Sequence, residues 1–364
     1  MSAQANSLAK NFSISFPMSR YILFFYVPFF ISLILSFLIL SPLAVSNLQA
    51  ATPPPQPQSG PGGSDYPHAA IISSVHGQGN LKYYLFEPDE PKPESAPLVI
   101  FAHGWGGINP TDYGSWINHL VRRGNIVIYP VYQTYTDMFT GFSKYTANCM
   151  TAIKDALREL KRPGHVAPDL DKVATVGHSL GGLLAVNIAA SWAAEQDGAP
   201  AVKAIMSVEP GGVPALPLED LSLIAADTLL LTVVGDQDQI AGSRDARKIF
   251  YRTSQIPPQN KDFITLVSDQ YGEPALIADH FAPTCELPIG SSFLPSLSEV
   301  FGSLKYATNA LDFYGTWKLF DALTEAAFYG KNREYALGNT PQQRFMGEWS
   351  DGRPVQELVV TDQP

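Results

Sequence analysis

A serine hydroxyl attacks a carbonyl usefully only when a base takes its proton, and that base is almost always a histidine steered by a carboxylate. Residues able to fill these parts occur here at a telling spacing. Gly177-His178-Ser179-Leu180-Gly181 stands between the β-branched run Val173–Val176 and an apolar helical stretch, Leu183–Ala194. Strand, tight turn and helix are the setting of a G-x-S-x-G nucleophile elbow. Such a turn leaves room only for tiny residues beside the serine. It lifts the Ser179 hydroxyl clear of the backbone at a helix N-terminus.

In elbow proteins the carboxylate and then the histidine follow the serine along the chain. Of 7 histidines, only His280 lies C-terminal to Ser179, so the order leaves it as the base. It sits in Ala278-Asp279-His280-Phe281-Ala282-Pro283, a loop after the last strand candidate. For the acid, Gly235-Asp236-Gln237-Asp238 follows an apolar run and points to Asp238, with Asp236 as a turn residue. Glu209, ending the preceding run in Ser207-Val208-Glu209-Pro210, is the second choice, and Asp279 is expected to point away from the base. An oxyanion needs two preorganised N–H donors. Leu180, directly after the nucleophile, supplies one. Trp105 supplies the other from the glycine-rich segment Phe101-Ala102-His103-Gly104-Trp105-Gly106-Gly107, its indole free to line an acyl pocket. Taken alone, that segment would read as a glycine turn beside a buried His103.

The elements that must position these groups alternate. Leu81–Phe86, Leu98–Ala102, Ile126–Val131, Val173–Val176, Val202–Val208, Thr228–Val234 and Phe263–Val267 read as strands. Tyr113–Arg123, Tyr145–Leu160, Leu183–Ala194 and Ser243–Arg252 read as helices. In the second of these, Met150, Ile153, Leu157 and Leu160 share a face. The third is apolar nearly all round and so buried. Alternation of this kind predicts an α/β fold, a mostly parallel sheet with helices on both faces, and ligands at the carboxyl ends of its strands. Residues 291–364 fit the pattern less well, with helices at Leu294–Ala307 and Thr316–Tyr329 and a weak strand at Glu357–Thr361. They are expected as an extension packed on a core of residues 66–290. Aromatic residues there, among them Phe313, Trp317 and Phe320, serve packing first and a pocket wall second.

The N-terminus is of another kind. Tyr21–Leu40 is uncharged and apolar, follows Lys10 and Arg20, and leads to small residues at Ala50 and Ala51. Residues 1–51 are therefore expected as a secretory signal cleaved near there, or else as an uncleaved membrane anchor. Either places the body outside the cytoplasm, periplasmic or secreted. Residues 52–65, rich in proline and glycine, read as a solvated linker. The formal charge of −10, with no cluster of Lys and Arg, disfavours nucleic acid and anionic membrane as partners. Any membrane contact would come through an uncleaved N-terminal segment. Cys149 and Cys285 could pair in an oxidising compartment or stay as buried thiols.

His103-Gly-Trp-Gly-Gly107 and Gly177-His-Ser-Leu-Gly181 resemble the corresponding motifs of the α/β-hydrolase superfamily. The likeness covers roughly residues 70–290 and is nearest to secreted esterases and lipases of the cutinase-like, dienelactone-hydrolase-like and platelet-activating-factor-acetylhydrolase-like groups. It implies hydrolysis of a carboxylic ester, whether small molecule, lipid or polymer, through an acyl-serine intermediate with no metal or organic cofactor. Serine at 179, where true dienelactone hydrolases carry cysteine and dehalogenases aspartate, departs from those groups. A catalytically silent binding protein on the same scaffold is the rival reading, and a peptidase or acyltransferase is the rival within enzymes.

Overall fold

A computed structural model of the protein describes residues 50–195, 200–211, 216–289 and 307–364. The apolar run Tyr21–Leu40 and all but the end of Leu294–Ala307 lie outside the described residues. Among the described residues no helix is long and apolar enough to cross a membrane.

Among those residues, strands β1 (Ala70–His76), β2 (Lys82–Asp89), β3 (Ser95–Ala102), β4 (Ile126–Val131), β5 (Ala167–His178), β6 (Val202–Val208), β7 (Leu229–Gly235), β8 (Lys261–Leu266) and β9 (Val359–Thr361) form one sheet. Their order is β1-β2-β4-β3-β5-β6-β7-β8-β9. Everything from β4 to β8 is parallel, while β1, β2 and β9 run antiparallel to their neighbours. This is the α/β-hydrolase fold. One whole strand and one strand start depart furthest from expectation. The sequence pattern missed β1, an edge strand whose Ser73, Ser74 and His76 break the apolar run. The elbow strand starts earlier, at Ala167, because the polar stretch Pro168-Asp169 pairs with Ala96-Pro97 before a register shift at Leu98.

The period of two along each strand divides the core. Tyr84 and Phe86 of β2 and Val99 and Phe101 of β3 face one side, where they meet Trp116 and Leu120 of α1 (Gly114–Arg122) and Leu319, Phe320 and Leu323 of α5 (Lys318–Tyr329). Tyr83, Leu85, Leu98 and Ile100 face the other, with Cys149 and Ile153 of α2 (Tyr145–Glu159) and Leu184 and Ile188 of α3 (Leu180–Ala194). Both faces are thus closed to water, as a parallel sheet requires. Helix α3 is buried along nearly its whole length, which its lack of a polar stripe demands. Helix α4 (Arg244–Arg252) covers the β7–β8 end, and a short helix α6 (Pro341–Arg344) follows α5.

Residues 52–65 are not a solvated linker. The Gly62 amide donates to Asp321 Oδ2 at 2.8 Å, Thr52 N to Ser350 Oγ at 2.9 Å and Ser350 N to Thr52 O at 3.0 Å. Pro54 is buried against Gly347, where an added Cβ would come within 2.8 Å of its ring. Proline-rich backbone has few donors to satisfy, so it can lie flat on the body at little hydrogen-bonding cost. This segment is a strap held by residues of the C-terminal extension.

Candidate active site

The site is built on the carboxyl ends of β5, β6 and β7 and on the loop beyond β8. Ser179 follows β5 directly, with φ 57° and ψ −123°, in a region that a non-glycine residue occupies at a cost of about 1–3 kcal/mol. Surrounding hydrogen bonds impose it: Ser179 N donates to Val208 O at 2.9 Å and Gly182 N to Ser179 O at 2.9 Å. The flanking glycines are obligatory. A Cβ on Gly177 would lie 2.1 Å from Gly181 O, and one on Gly181 would lie 2.0 Å from Ala102 O.

His280 Nε2 stands 2.9 Å from Ser179 Oγ, and its Nδ1 stands 2.9 Å from Asp238 Oδ2. The other Asp238 oxygen accepts the Ile240 and Ala241 amides at 2.8 and 2.9 Å. Burial pushes the Asp238 carboxyl up, yet the His280 hydrogen bond and charge together with those two amides hold it below the usual carboxylate range. Asp238 is therefore ionised at neutral pH and fixes the Nδ1–H tautomer that turns the Nε2 lone pair toward the serine. The structure thus brings Ser179, His280 and Asp238 together. Asp236 instead accepts from the Ser268 hydroxyl at 2.6 Å, and Asp279 accepts the Phe281 amide at 3.0 Å.

The His-Gly segment after β3 lies beside the nucleophile, since a Cβ on Gly104 would fall 3.3 Å from Ser179 Cβ. Trp105 follows Gly104 in this segment, and Leu180 is the first residue of α3. The Trp105 indole is tied down: Nε1 donates to Met138 O at 2.6 Å, and the ring meets Phe139 edge-on at 5.1 Å. Phe139 itself is 68% exposed. His103 is wholly buried, stacked on Tyr132 at 4.2 Å, with Nδ1 donating to Gly104 O at 2.6 Å. Burial lowers its pKa to about 3.

Two further residues escaped the sequence reading. Gly104 N donates to Tyr113 Oη at 3.0 Å, Tyr113 Oη pairs with His178 Nδ1 at 2.9 Å, and His178 Nε2 pairs with His280 O at 2.8 Å. Burial first, and the neighbouring His280, lower the His178 pKa to about 3, so the ring is neutral. The proton must then be on Nε2, facing a carbonyl, and Tyr113 must donate to Nδ1. The chain joins the His-Gly segment to the backbone of His280. His178 was visible in the elbow pentapeptide, but no sequence signal tells what its ring touches.

His178, Glu209 and His280 place ligand-type atoms within 4.8 Å of one another. His178 Nε2 and His280 Nδ1 both carry protons bonded elsewhere, so the trio presents no free nitrogen lone pair to a metal ion. Cys149 and Cys285 are both buried free thiols, and no disulfide links them.

Against known families, residues 85–213 match a family described as chlorophyllase. That stretch holds the His-Gly segment, the elbow and Glu209, but ends before Asp238 and His280. No curated protein matches the chain. The matched stretch and the mostly parallel sheet together fit a member of the α/β-hydrolase superfamily, and they support an esterase-type hydrolase function.

Proposed function

We propose that the protein is a serine carboxylic-ester hydrolase working through an acyl-serine intermediate. The observation that carries this reading is the continuous contact from Ser179 Oγ through both nitrogens of His280 to an ionised Asp238. Ser179 attacks the ester carbonyl as His280 Nε2 accepts its proton, and Asp238 stabilises the imidazolium. The Leu180 and Trp105 amides receive the oxyanion, each such donor contributing about 10²–10³ in rate. His280 then protonates the departing alkoxide, and in the second half it draws a proton from the water that frees the acid. The name of the matched family makes chlorophyll one ester to test beside short acyl esters.

Ser179→Ala is expected to abolish turnover of short p-nitrophenyl esters and labelling by a fluorophosphonate, with no fall in Tm. Full activity in that variant would remove the proposal. A native protein unreactive to the fluorophosphonate would favour the silent binding protein instead.

A further inference from the structure

Glu209 carries two costs that the end of a strand does not need. Its backbone sits at φ 46°, in the left-handed region that favours glycine. Its carboxyl is wholly buried, and neither oxygen has a hydrogen-bond partner. A burial of that kind is among the least favourable in a protein interior, and an apolar residue of similar volume would avoid it. The Glu209 carboxyl also fills the space above Gly235, the last residue of β7, where a Cβ would come 2.3 Å from Ala278 O and 2.7 Å from Glu209 Oε1. Glu209 Oε2 lies 3.3 Å from His178 Nε2 and 3.7 Å from His280 Nδ1. The nitrogen that Asp238 holds from the β7 side is thus approached by a second carboxyl from the β6 side.

We propose that Glu209 is a second acid of the site, a positioning residue that takes over the orientation of His280 when Asp238 is withdrawn or uncharged. The inference rests on the esterase reading above. Two carboxylates this close to one imidazole cannot both ionise easily. Burial, then the charges of Asp238 and Asp279, hold Glu209 well above the carboxylate range, while Asp238 is held below it. One negative charge therefore serves the site, and it rests on Asp238. Removing Asp238 removes one cause of the upward shift on Glu209. Burial remains as the larger cause, so Glu209 gives up its proton only at a higher pH than Asp238 does, and the charge then stands at the β6 end, 3.7 Å from Nδ1. His178, neutral and bonded to the His280 carbonyl, offers no competing charge.

The test compares Asp238→Ala, Asp238→Asn, Glu209→Gln and the double variant Asp238→Ala/Glu209→Gln on a short p-nitrophenyl ester across pH, with Ser179→Ala as the blank. Asp238→Ala should lose only about 10- to 100-fold in kcat, and the double variant about 10⁴-fold, the usual consequence of losing the acid altogether. Asp238→Asn, the more conservative change, should be worse than Asp238→Ala. Its amide donates to Nδ1 and fixes the wrong tautomer, a loss of about 10⁴ that Glu209 cannot repair. Activity of Asp238→Ala should also rise with pH more steeply than that of the double variant, which keeps His280 but lacks the Glu209 carboxyl. Equal rates in Asp238→Ala and the double variant, over an inert Ser179→Ala, would overturn the proposal. If the double variant does not fold, a pH profile of Asp238→Ala that matches the native protein's, with Asp238→Asn the more active of the two Asp238 variants, overturns it equally. Turnover by Ser179→Ala would instead count against the esterase reading.

Discussion

At the scale of single residues, Ser179, Asp238 and His280 share a buried shell with His103 and His178. Ser179 is announced by glycines that no other residue can replace, and chain order alone isolates His280 as its base. Asp238 and Glu209 both end apolar runs, and only coordinates reveal that both approach the same nitrogen, at 2.9 and 3.7 Å. Tyr113 and the second bond of His178 could not be read at all, because they depend on three segments distant in sequence meeting at one point. His103 offers a test of this buried polar shell. Its folded pKa of about 3 lies below the ordinary histidine value of 6.5. Between those values the unfolded chain binds a proton that the folded protein refuses, so its contribution to stability falls as pH drops through that window. Stability of His103→Gln should therefore decline less steeply than the native protein's from pH 6.5 to 4, by up to about 1.4 kcal/mol per pH unit. Urea unfolding at several pH values measures this, and matching slopes would show that His103 titrates normally.

At the scale of elements, long apolar strands and the all-round apolar α3 were legible because burial on both faces leaves no other composition possible. The edge strand β1 was not, since half-exposed strands tolerate serine. A different failure occurs before α5. The sequence gives a helix from Thr316, whereas Leu311–Trp317 winds as a π-helix into Lys318. Side-chain periodicity does not separate the two over so few residues. That turn buries Asp312, with one oxygen accepting the Asn309 amide at 2.9 Å and the other without a partner. Burial, opposed by backbone hydrogen bonds, raises its pKa from 3.8 to about 8. Between those values the folded protein holds the extra proton, so this group's contribution to stability falls as pH rises. Asp312→Asn should thus be stabilising, with a gain that grows by up to about 1.4 kcal/mol per pH unit from pH 4 to 8. Thermal unfolding at both ends of that range checks it, and a gain independent of pH would mean that Asp312 is ionised in the folded state.

At the scale of the whole molecule, composition indicated an acidic α/β body but misjudged the proline-rich segment at its start. Proline and glycine reveal that a stretch cannot build structure by itself, not what surface awaits it. Here the surface is centred on Asp321, whose Oδ2 meets His119 Nε2 at 3.0 Å, Gly62 N at 2.8 Å and Arg123 Nε at 3.6 Å. Burial pushes Asp321 up, but His119, Arg123 and the Gly62 amide outweigh it and hold the carboxyl below its usual range. Asp321→Asn should cost about 3–5 kcal/mol, as breaking a buried ion pair does, and should open residues 52–65 to limited proteolysis. A strap that stays protected in that variant would show that its other contacts suffice. The same C-terminal residues that grip the strap end in β9, three residues laid on β8 through Thr361, Val360 and Val359. Without that hem, the backbone donors and acceptors of Lys-Asp-Phe-Ile-Thr-Leu would be bare along one side, a template for the edge of another molecule. With it, the outermost strand on this side offers three residues only. Cover for this side of the sheet thus comes from the same stretch of chain whose Asp321, Gly347 and Ser350 hold the strap.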